Sequence, residues 1–411
     1  MKSTFTYNKH LFYSALCIFL ACYGKAQSQN GTNPNTTIQV NESNKQSISN
    51  SVNEANFNTQ PPANLSEPSR SGNGAKYYES QSQNYRGYLD FSPKDANAWE
   101  NYYKSTRFSN YSKTSSSISA DEQKELDAIV KEMEKNVPGT YQFHFVTYLN
   151  GNNDVNLIHH LEKAYELNPN STELYEEFIN YYELTGNDSK KTEFVKKLNN
   201  SKEIHPDVLE YNYNLLNSLE SKAILITHGE MDTYPGWILQ DVKRTREDVK
   251  IVYLELLEKD EYRNKLLAET GITVSADFKS NKSGFLKEFA EKSSRPVYFA
   301  STVAPEILKP IQNNLYLTGL AFKYSSTEFE NQSVLATNWE NSFKKDAVLK
   351  TNAQGTIQSK LNMNYIPGLL ILIEYYKSAN KTDKATMAEE MALKLAREGG
   401  KEQQVKTYLK K

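Results

Sequence analysis

Apolar and aromatic residues recur at helical spacing over residues 75–220. Tyr141, Phe145 and Tyr148 are four and three residues apart, so they lie on one face of a helix that ends at the turn 151–153. A second apolar stripe follows and ends before Pro169. Two short amphipathic helices cannot bury their apolar faces alone. The pattern therefore predicts helical hairpins that stack on neighbouring hairpins.

The pattern changes at Ala223, where short β-rich runs begin to alternate with helical stripes. We predict strands at Ala223–Thr227, Lys250–Leu257 and Pro296–Val303, with Leu315–Tyr324 as an edge strand. A polar turn follows the first run, and a helix is expected after Pro235, with Asp232 or Thr233 as its cap. Such alternation predicts a small, mostly parallel sheet of three to four strands covered by helices.

The first residues have the order of an export signal. Lys2 and Lys9 precede an apolar stretch that runs from Leu11 to Cys22, and small residues then lead to Ala26. This order predicts a signal peptide that is cleaved after Ala26. The apolar stretch is too short for a permanent anchor. Because Ala precedes Cys22, a lipoprotein signal with lipid attached to Cys22 remains an alternative.

The sequence divides into five segments that differ in composition and in the pattern of apolar residues. Residues 27–74 are dominated by Asn, Ser, Gln and Thr, and they contain too few apolar residues to form a core. The final residues return to helical stripes, which predicts one more hairpin. We predict a signal peptide (1–26), a disordered Asn/Ser-rich linker (27–74), helical repeats (75–220), a small α/β domain (221–340) and a C-terminal helical repeat (341–411). The fold class is thus α/β plus all-α, with helical hairpins flanking the sheet.

Charge and cysteine content exclude several classes of function. The 411 residues include 48 Lys and Arg and 50 Asp and Glu, for a formal charge of -2. No global basic field is present to hold nucleic acid or an anionic membrane. After the leader, no apolar run is long enough for an integral membrane span. Cys17 and Cys22 are the only cysteines, so a mature chain that begins after Ala26 has no thiol for a disulfide, a zinc site or catalysis.

The polar turn after the first predicted strand holds the best candidate site. His228, Glu230, Asp232 and Thr233 follow that strand, and open α/β sheets bind ligands at the carboxyl ends of their strands. The helix N-terminus favours an anion, whereas the carboxylates and the imidazole could hold a divalent cation. The simpler interpretation is a helix cap with local hydrogen bonds. We therefore assign no metal, no cofactor and no catalytic residue.

Tyrosines supply the second set of candidate residues. Of the 28 tyrosines, many occupy helix stripes, where side chains usually pack in a core. An exposed remainder could form a peptide-binding groove, since Tyr offers a large contact area with a polar tip. The candidates for contact with a protein partner are Tyr141, Tyr148, Tyr175 and Tyr182.

Two resemblances refine this interpretation. The hairpin around Pro169 resembles the tetratricopeptide repeat, with Ala164, Tyr141 and Tyr148 at matching positions, although Leu157 stands where the family prefers Ala. The blocks 228–235, 246–249 and 295–300 resemble, in the same order, the soluble C-terminal part of a bacterial membrane-protein family of unknown function related to protein O-mannosyltransferases. That resemblance covers about 223–324.

The second resemblance implies the α/β fold and an envelope setting. The family's turn usually reads Gly-Asp-Asn-Asp-Thr, and Glu230 and Met231 depart from it. The transferase chemistry belongs to the membrane-embedded half of that family and is not carried over. The Asn- and Lys-rich composition and the Ala26–Gln27 junction also resemble exported proteins of gliding bacteria.

We expect an exported, non-enzymatic interaction or scaffold protein of the bacterial cell envelope, in the periplasm or at the outer membrane or cell surface. Its partner would be an envelope protein, and an accessory role in a secretion or gliding-motility apparatus is consistent with the composition. The competing hypothesis is a ligand-binding protein or carbohydrate-active enzyme with its site at the end of the first strand. A purely structural subunit of a larger complex is a third.

Overall fold

A computed structural model describes residue 65 and residues 73–114 and 118–410. The predicted signal peptide, the candidate lipid site at Cys22 and nearly all of the predicted linker lie outside the described residues. Among the residues that are described, no helix is long and apolar enough to span a bilayer. The described chain divides into two compact units, 73–150 and 151–410.

The first unit consists of four helices, α1 (Ala75–Leu89), α2 (Ala96–Thr114), α3 (Ala120–Asn136) and α4 (Tyr141–Asn150). α2 contacts each of the other three. Ser119 opens α3 with a capping box, because its hydroxyl accepts the Glu122 N–H while the Glu122 carboxylate accepts the Ser119 N–H. Trp99, Leu126 and Met133 are buried in one core that belongs to this unit alone.

Four further helices open the second unit: α5 (Ile158–Leu167), α6 (Thr172–Thr185), α7 (Asp188–Ser201) and α8 (Pro206–Asn217). A 3₁₀ turn, Val155–Leu157, precedes α5. α6 and α7 form a hairpin whose rings Phe178 and Phe194 stack with centroids 4.3 Å apart. α6 ends at Gly186, and the Asn187 side chain then caps α7.

The sheet has five strands: β1 (Ile224–Thr227), β2 (Lys250–Tyr253), β3 (Val297–Ala300), β4 (Leu315–Leu317) and β5 (Ala321–Tyr324). Their order is β2-β1-β3-β5-β4. β1 pairs in parallel with β2 and β3, whereas β5 is antiparallel to both β3 and β4. The predicted edge strand is therefore a hairpin, because the chain turns at 318–320 and the Thr318 N–H bonds the Ala321 carbonyl.

Four helices accompany the sheet: α9 (Glu230–Asp241), α10 (Asp260–Thr270), α11 (Lys282–Lys292) and α12 (Pro305–Leu308). The prediction that α9 starts after Pro235 is wrong, since Pro235 lies inside the helix. Proline has no N–H to bond the carbonyl four residues earlier, which is that of Met231. The amide of Asn212, in α8, donates to this carbonyl instead, at 2.8 Å.

The remaining helices are α13 (Gln332–Thr337), α14 (Asp346–Leu349), α15 (Ile357–Asn362), α16 (Ile366–Ser378), α17 (Thr382–Glu398) and α18 (Glu402–Leu409), with a π-helical turn, Asn338–Ser342, after α13. α16 and α17 pack together as a hairpin. The fully buried Asn214 of α8 joins this region, because its amide donates to Lys344 O and Tyr365 Oη, each at 2.8 Å. The boundaries predicted at 220 and 340 thus fall inside one unit.

The observed architecture confirms the predicted class, helical hairpins with a small sheet. The sheet differs in detail, since it has five strands rather than three to four and two of its four strand pairings are antiparallel. The parallel part, β2-β1-β3, carries the candidate site.

Candidate functional site

The polar residues of interest lie where three parallel strands end. The chain runs from β1 to β2 on one side and later returns to β3 on the other side of β1. Such a reversal opens a crevice beyond the carboxyl ends of the strands. His228 follows β1, Glu255 lies two residues after β2, and Thr302 lies two residues after β3. We call His228, Asp232, Glu255 and Thr302 the carboxyl-edge cluster.

Asp232 is the buried centre of this cluster. It is the third residue of α9 and is 1% exposed. Its Oδ2 accepts the His228 N–H at 3.1 Å and also the Thr302 hydroxyl. Its Oδ1 is buried and has no hydrogen-bond partner among the described residues. Burial raises the pKa of Asp232 to about 7, although the bonds from Thr302 and His228 oppose the shift.

Asp232 and Thr233 do not cap the helix as predicted. The N-cap is Gly229, whose φ of 91° and ψ of 171° are accessible essentially only to glycine. The Thr233 hydroxyl is buried and lies 2.8 Å from both Thr227 Oγ1 and Gly229 O. Thr233 therefore fixes the turn from inside, while Asp232 reaches back to the residue before the cap.

The His228 ring is fixed by the main chain that follows β3. The Ala304 N–H lies 3.1 Å from Nδ1, and the Thr302 carbonyl oxygen lies 3.2 Å from the same nitrogen, so Nδ1 accepts from Ala304 in one tautomer and donates to Thr302 in the other. Nε2 faces Glu255 Oε1 at 3.5 Å. Burial lowers the pKa of His228, against the opposing charge of Asp232.

Glu255 completes the cluster and is not among the site residues predicted from the sequence. Its Oε1 accepts the Gly229 N–H at 2.9 Å. Its Oε2 is buried without a partner in the described part of the chain, although 38% of the side chain is exposed. Burial raises the pKa of Glu255 to about 8. The carboxylate inside the apolar run that begins at Lys250 is the available signal, but the predicted strand includes the whole run as far as Leu257.

Glu230 is half-buried on the first turn of α9, beside the cluster. Burial raises the pKa of the Tyr253 phenol, and the charges of Glu255, Glu230 and Asp232 add to this shift. The carboxyl groups of Glu230, Asp232 and Glu255 therefore all lie near enough to Tyr253 to affect its pKa. In the part of the chain that the structure describes, no three His, Cys, Asp or Glu side chains are grouped as metal ligands.

The candidate partner-binding tyrosines occupy two kinds of position. Tyr148 and Tyr175 are buried, and Tyr175 Oη donates to Pro169 O at 2.8 Å. Tyr141 and Tyr182 are half-buried, and each stacks on a phenylalanine of its own unit, Phe145 and Phe178 respectively. The burial of Tyr148 and Tyr175 favours core packing for those two. Contact of the tyrosines with a partner stays a prediction.

A polar cavity of about 600 Å³ lies away from the cluster, at the start of β2. Lys191 and Glu183 form an ion pair of 2.8 Å in its wall, and Lys191 Nζ lies 4.9 Å from the centre of the Trp237 ring. Burial alone would raise the pKa of Glu183, but Lys191 holds it below the ordinary value. Further lining residues come from β2 and α10, among them Lys250, Ile251, Lys265 and Glu269.

Two arginines near the sheet have structural partners. Arg246 donates to the carbonyls of Leu216, Leu219 and Glu220, and it pairs with Asp248 at 2.9 Å. Arg295 donates to the carbonyls of Lys222, Ala223 and Asp248. Both guanidinium groups therefore tie main-chain segments together at the amino ends of the strands.

Comparison with known proteins supports the resemblance of the middle segment. No curated protein matches the chain. The family model described as TMEM260-associated domain 2 matches residues 208–397. This family is linked to TMEM260, an O-mannosyltransferase-like protein. The match begins in α8, includes all five strands and the carboxyl-edge cluster, and ends in α17, so this part of the chain is similar to TMEM260-associated domain 2.

Proposed function

We propose that the chain is an exported, non-enzymatic binding protein of the bacterial cell envelope, with the carboxyl-edge cluster as its ligand site. The observation that carries this proposal is the unpaired Oδ1 of Asp232 in a side chain that is 1% exposed. A buried acceptor without a donor costs free energy of about 1–3 kcal/mol, and more when it is charged. A ligand that donates to this oxygen removes that cost.

The geometry around Asp232 suits binding. His228, Asp232 and Glu255 are each fixed by a hydrogen bond from or to the main chain. Groups that are already positioned lose little conformational entropy when a ligand arrives. The location at a topological reversal of a parallel sheet is where open α/β sheets bind their ligands.

A ligand panel tests this proposal. Thermal unfolding of the mature chain should reveal a polar compound that raises the melting temperature of the wild type but not of Asp232→Asn. The exposed Glu390→Gln variant is the matched control and should respond like the wild type. If Asp232→Asn responds to every compound as the wild type does, the ligand site is excluded.

Export is tested on the protein recovered from an envelope fraction. The leader pattern predicts that the mature N-terminus is Gln27. Intact-mass measurement should show the chain from Gln27 without added lipid. A chain that begins at Cys22 with the mass of acyl groups supports the lipoprotein alternative, and an uncleaved cytoplasmic chain contradicts export.

A protein partner is the second candidate, as in the interaction and scaffold proteins built from tetratricopeptide-like hairpins. Stacked helical hairpins commonly bind partners on their surfaces, and the half-buried Tyr141 and Tyr182 keep part of their rings accessible. Crosslinking in envelope extracts should join the wild type to a component of a secretion or gliding-motility apparatus. Loss of that product in Tyr141→Ala or Tyr182→Ala, but not in the exposed control Tyr111→Ala, supports this role.

A carbohydrate-active enzyme is the alternative that uses the same site. It is favoured by two carboxyl groups, Asp232 and Glu255, whose pKa values are raised to about 7 and about 8. Glycoside hydrolases use a pair of carboxyl groups, one protonated as the general acid and one ionised as the base or nucleophile. Release of reducing sugar from envelope polysaccharide by the wild type, abolished in Glu255→Gln, would establish the enzyme and overturn the non-enzymatic proposal.

A further inference from the structure

The unpaired polar atoms around the carboxyl-edge cluster are all acceptors. Besides Asp232 Oδ1 and Glu255 Oε2, the Oδ1 of the fully buried Asn212 has no hydrogen-bond partner among the described residues. The three side chains come from α8, α9 and the 3₁₀ turn Leu254–Glu258. A ligand that satisfies them must therefore donate hydrogen bonds.

The segment 228–231 forms a hydrogen bond with each of the three side chains. Asp232 Oδ2 bonds the His228 N–H, Glu255 Oε1 bonds the Gly229 N–H at 2.9 Å, and Asn212 Nδ2 bonds the Met231 carbonyl at 2.8 Å. The amide of Asn212 is oriented without ambiguity, since Nδ2 also donates to the Val208 carbonyl. All three side chains are thus bonded to the segment 228–231, which joins β1 to α9.

The turn becomes negatively charged when its carboxyl groups ionise. Glu230 adds a third carboxylate beside Asp232 and Glu255. Lys282 is the cation that acts on both His228 and Glu255, and its Nζ already pairs with Glu258 at 2.5 Å. His228 is neutral when it accepts the Ala304 N–H. A cation offsets buried carboxylates, whereas a hydroxyl donor brings its own lone pairs to a set of acceptors.

We infer that the carboxyl-edge cluster, together with Asn212, binds a primary ammonium group. An ammonium has three N–H donors and no acceptor, which matches three unpaired oxygens, two of them on carboxyl groups. The group can belong to a small amine or to a lysine side chain of a partner protein. This inference rests on the proposed ligand site and specifies its chemistry.

Calorimetric titration of the full mature chain tests the inference with matched probes. Nα-acetyl-lysine methyl ester presents a lysine side chain, n-butylamine presents a small amine, and Nα-acetyl-norleucine methyl ester lacks the ammonium. Glycerol and n-butanol supply neutral hydroxyl donors. We expect the two ammonium probes to bind and the three neutral probes not to bind. Selective binding of the lysine ester over butylamine indicates a protein side chain, and the reverse indicates a free amine.

Variants and pH sharpen the test. Glu255→Gln and Asn212→Leu should each lower the affinity for the ammonium probes by about tenfold or more. The variant Glu261→Gln, at an exposed position of the neighbouring α10, should leave that affinity unchanged. Affinity should rise by about tenfold between pH 6 and pH 8.5, because the ionised carboxylates bind the cation. The titratable or charged groups that act on Asp232 and Glu255 are His228, Glu258 and Lys282, with Glu230 and Glu306 beside them.

The outcomes separate this inference from the proposed function. Binding of glycerol in preference to the ammonium probes overturns the inference and leaves a ligand site in place. Ammonium binding that is equal in wild type, Glu255→Gln and Asn212→Leu places the ammonium elsewhere and overturns it as well. If no probe binds, the inference fails, and the thermal-unfolding panel with Asp232→Asn decides independently whether a ligand site exists.

Discussion

At the scale of single residues, the ionisation of Asp232 links the stability of the fold to pH. The pKa of Asp232 is raised from 3.8 to about 7 in the folded protein. Between these values the unfolded chain loses its proton first, so the free energy of unfolding falls as the pH rises. With about 1.4 kcal/mol for each pKa unit, we expect Asp232 to remove on the order of 2–4 kcal/mol between pH 4 and pH 8.

The variant Asp232→Asn isolates this effect, because an amide does not ionise. Urea unfolding at several pH values should show that the wild type loses stability relative to Asp232→Asn as the pH rises from 4 to 8. Groups that do not interact with Asp232 titrate alike in both proteins and cancel, so the difference reports Asp232 and its coupling to His228 and Glu255. A difference that is constant over this range contradicts the raised pKa.

Gly229 carries a second prediction at the residue scale. A Cβ at this position would meet no heavy atom within 4 Å, so only the backbone conformation opposes a larger residue. With φ at 91° and ψ at 171°, Gly229→Ala should lower the free energy of unfolding by about 1–3 kcal/mol. Gly87→Ala is the matched control, because Gly87 is helical with equally open surroundings, and there alanine should be neutral or stabilising by up to about 1 kcal/mol. Equal effects at both positions would falsify the conformational explanation.

At the scale of secondary-structure elements, Arg246 joins the end of α8 to the segment that leads into β2. Its guanidinium donates to three carbonyls at 216–220 and to Asp248. Arg246→Ala removes the guanidinium from those carbonyls and from Asp248, which keeps the Lys222 N–H, and we expect a loss of about 2–3 kcal/mol in denaturant unfolding. The hydrogen bonds and charge of Arg246 also hold the pKa of Asp248 well below its usual range.

The control for Arg246 is the neighbouring Arg244. Its side chain is 74% exposed and pairs only with Glu247 among the interactions described for it. Exposed pairs contribute little, so Arg244→Ala should change the free energy of unfolding by less than about 0.5 kcal/mol. Similar losses in both variants would show that the hydrogen bonds from Arg246 to the carbonyls do not contribute to the free energy of unfolding.

At the scale of the whole molecule, the division into two units predicts separate folding. The core around Trp99 contains only residues from 65 to 149, so residues 73–150 do not complete the core of the sheet. A fragment of residues 151–411 should therefore unfold cooperatively and retain the pH dependence assigned to Asp232. Noncooperative melting of this fragment, with the full chain as control, would show that the sheet requires residues 73–150.

The degree to which the sequence anticipated the site differs from residue to residue. His228 and Asp232 were found because a β-rich run ending in polar residues marks the carboxyl end of a strand. Glu255 and Thr302 belong to the ends of β2 and β3, more than 20 and 70 residues away from His228, and no local pattern indicates which strands become neighbours. Glu255 was also hidden by a strand assigned four residues too long, because Leu254, Leu256 and Leu257 are equally apolar in a 3₁₀ turn.

The sequence alone determined the local elements: the helical hairpins, the three apolar strands and the polar turn after the first of them. The spacing of apolar residues decides these features. Each helix or strand must bury one face, and the residues of that face recur at the period of the element. Only the tertiary structure decided the strand order, the reversed direction of β5, and the start of α9 before Pro235. These depend on contacts between distant residues, such as the Asn212 amide on the Met231 carbonyl. The same distant contacts left an acidic oxygen of Asp232 buried and unpaired.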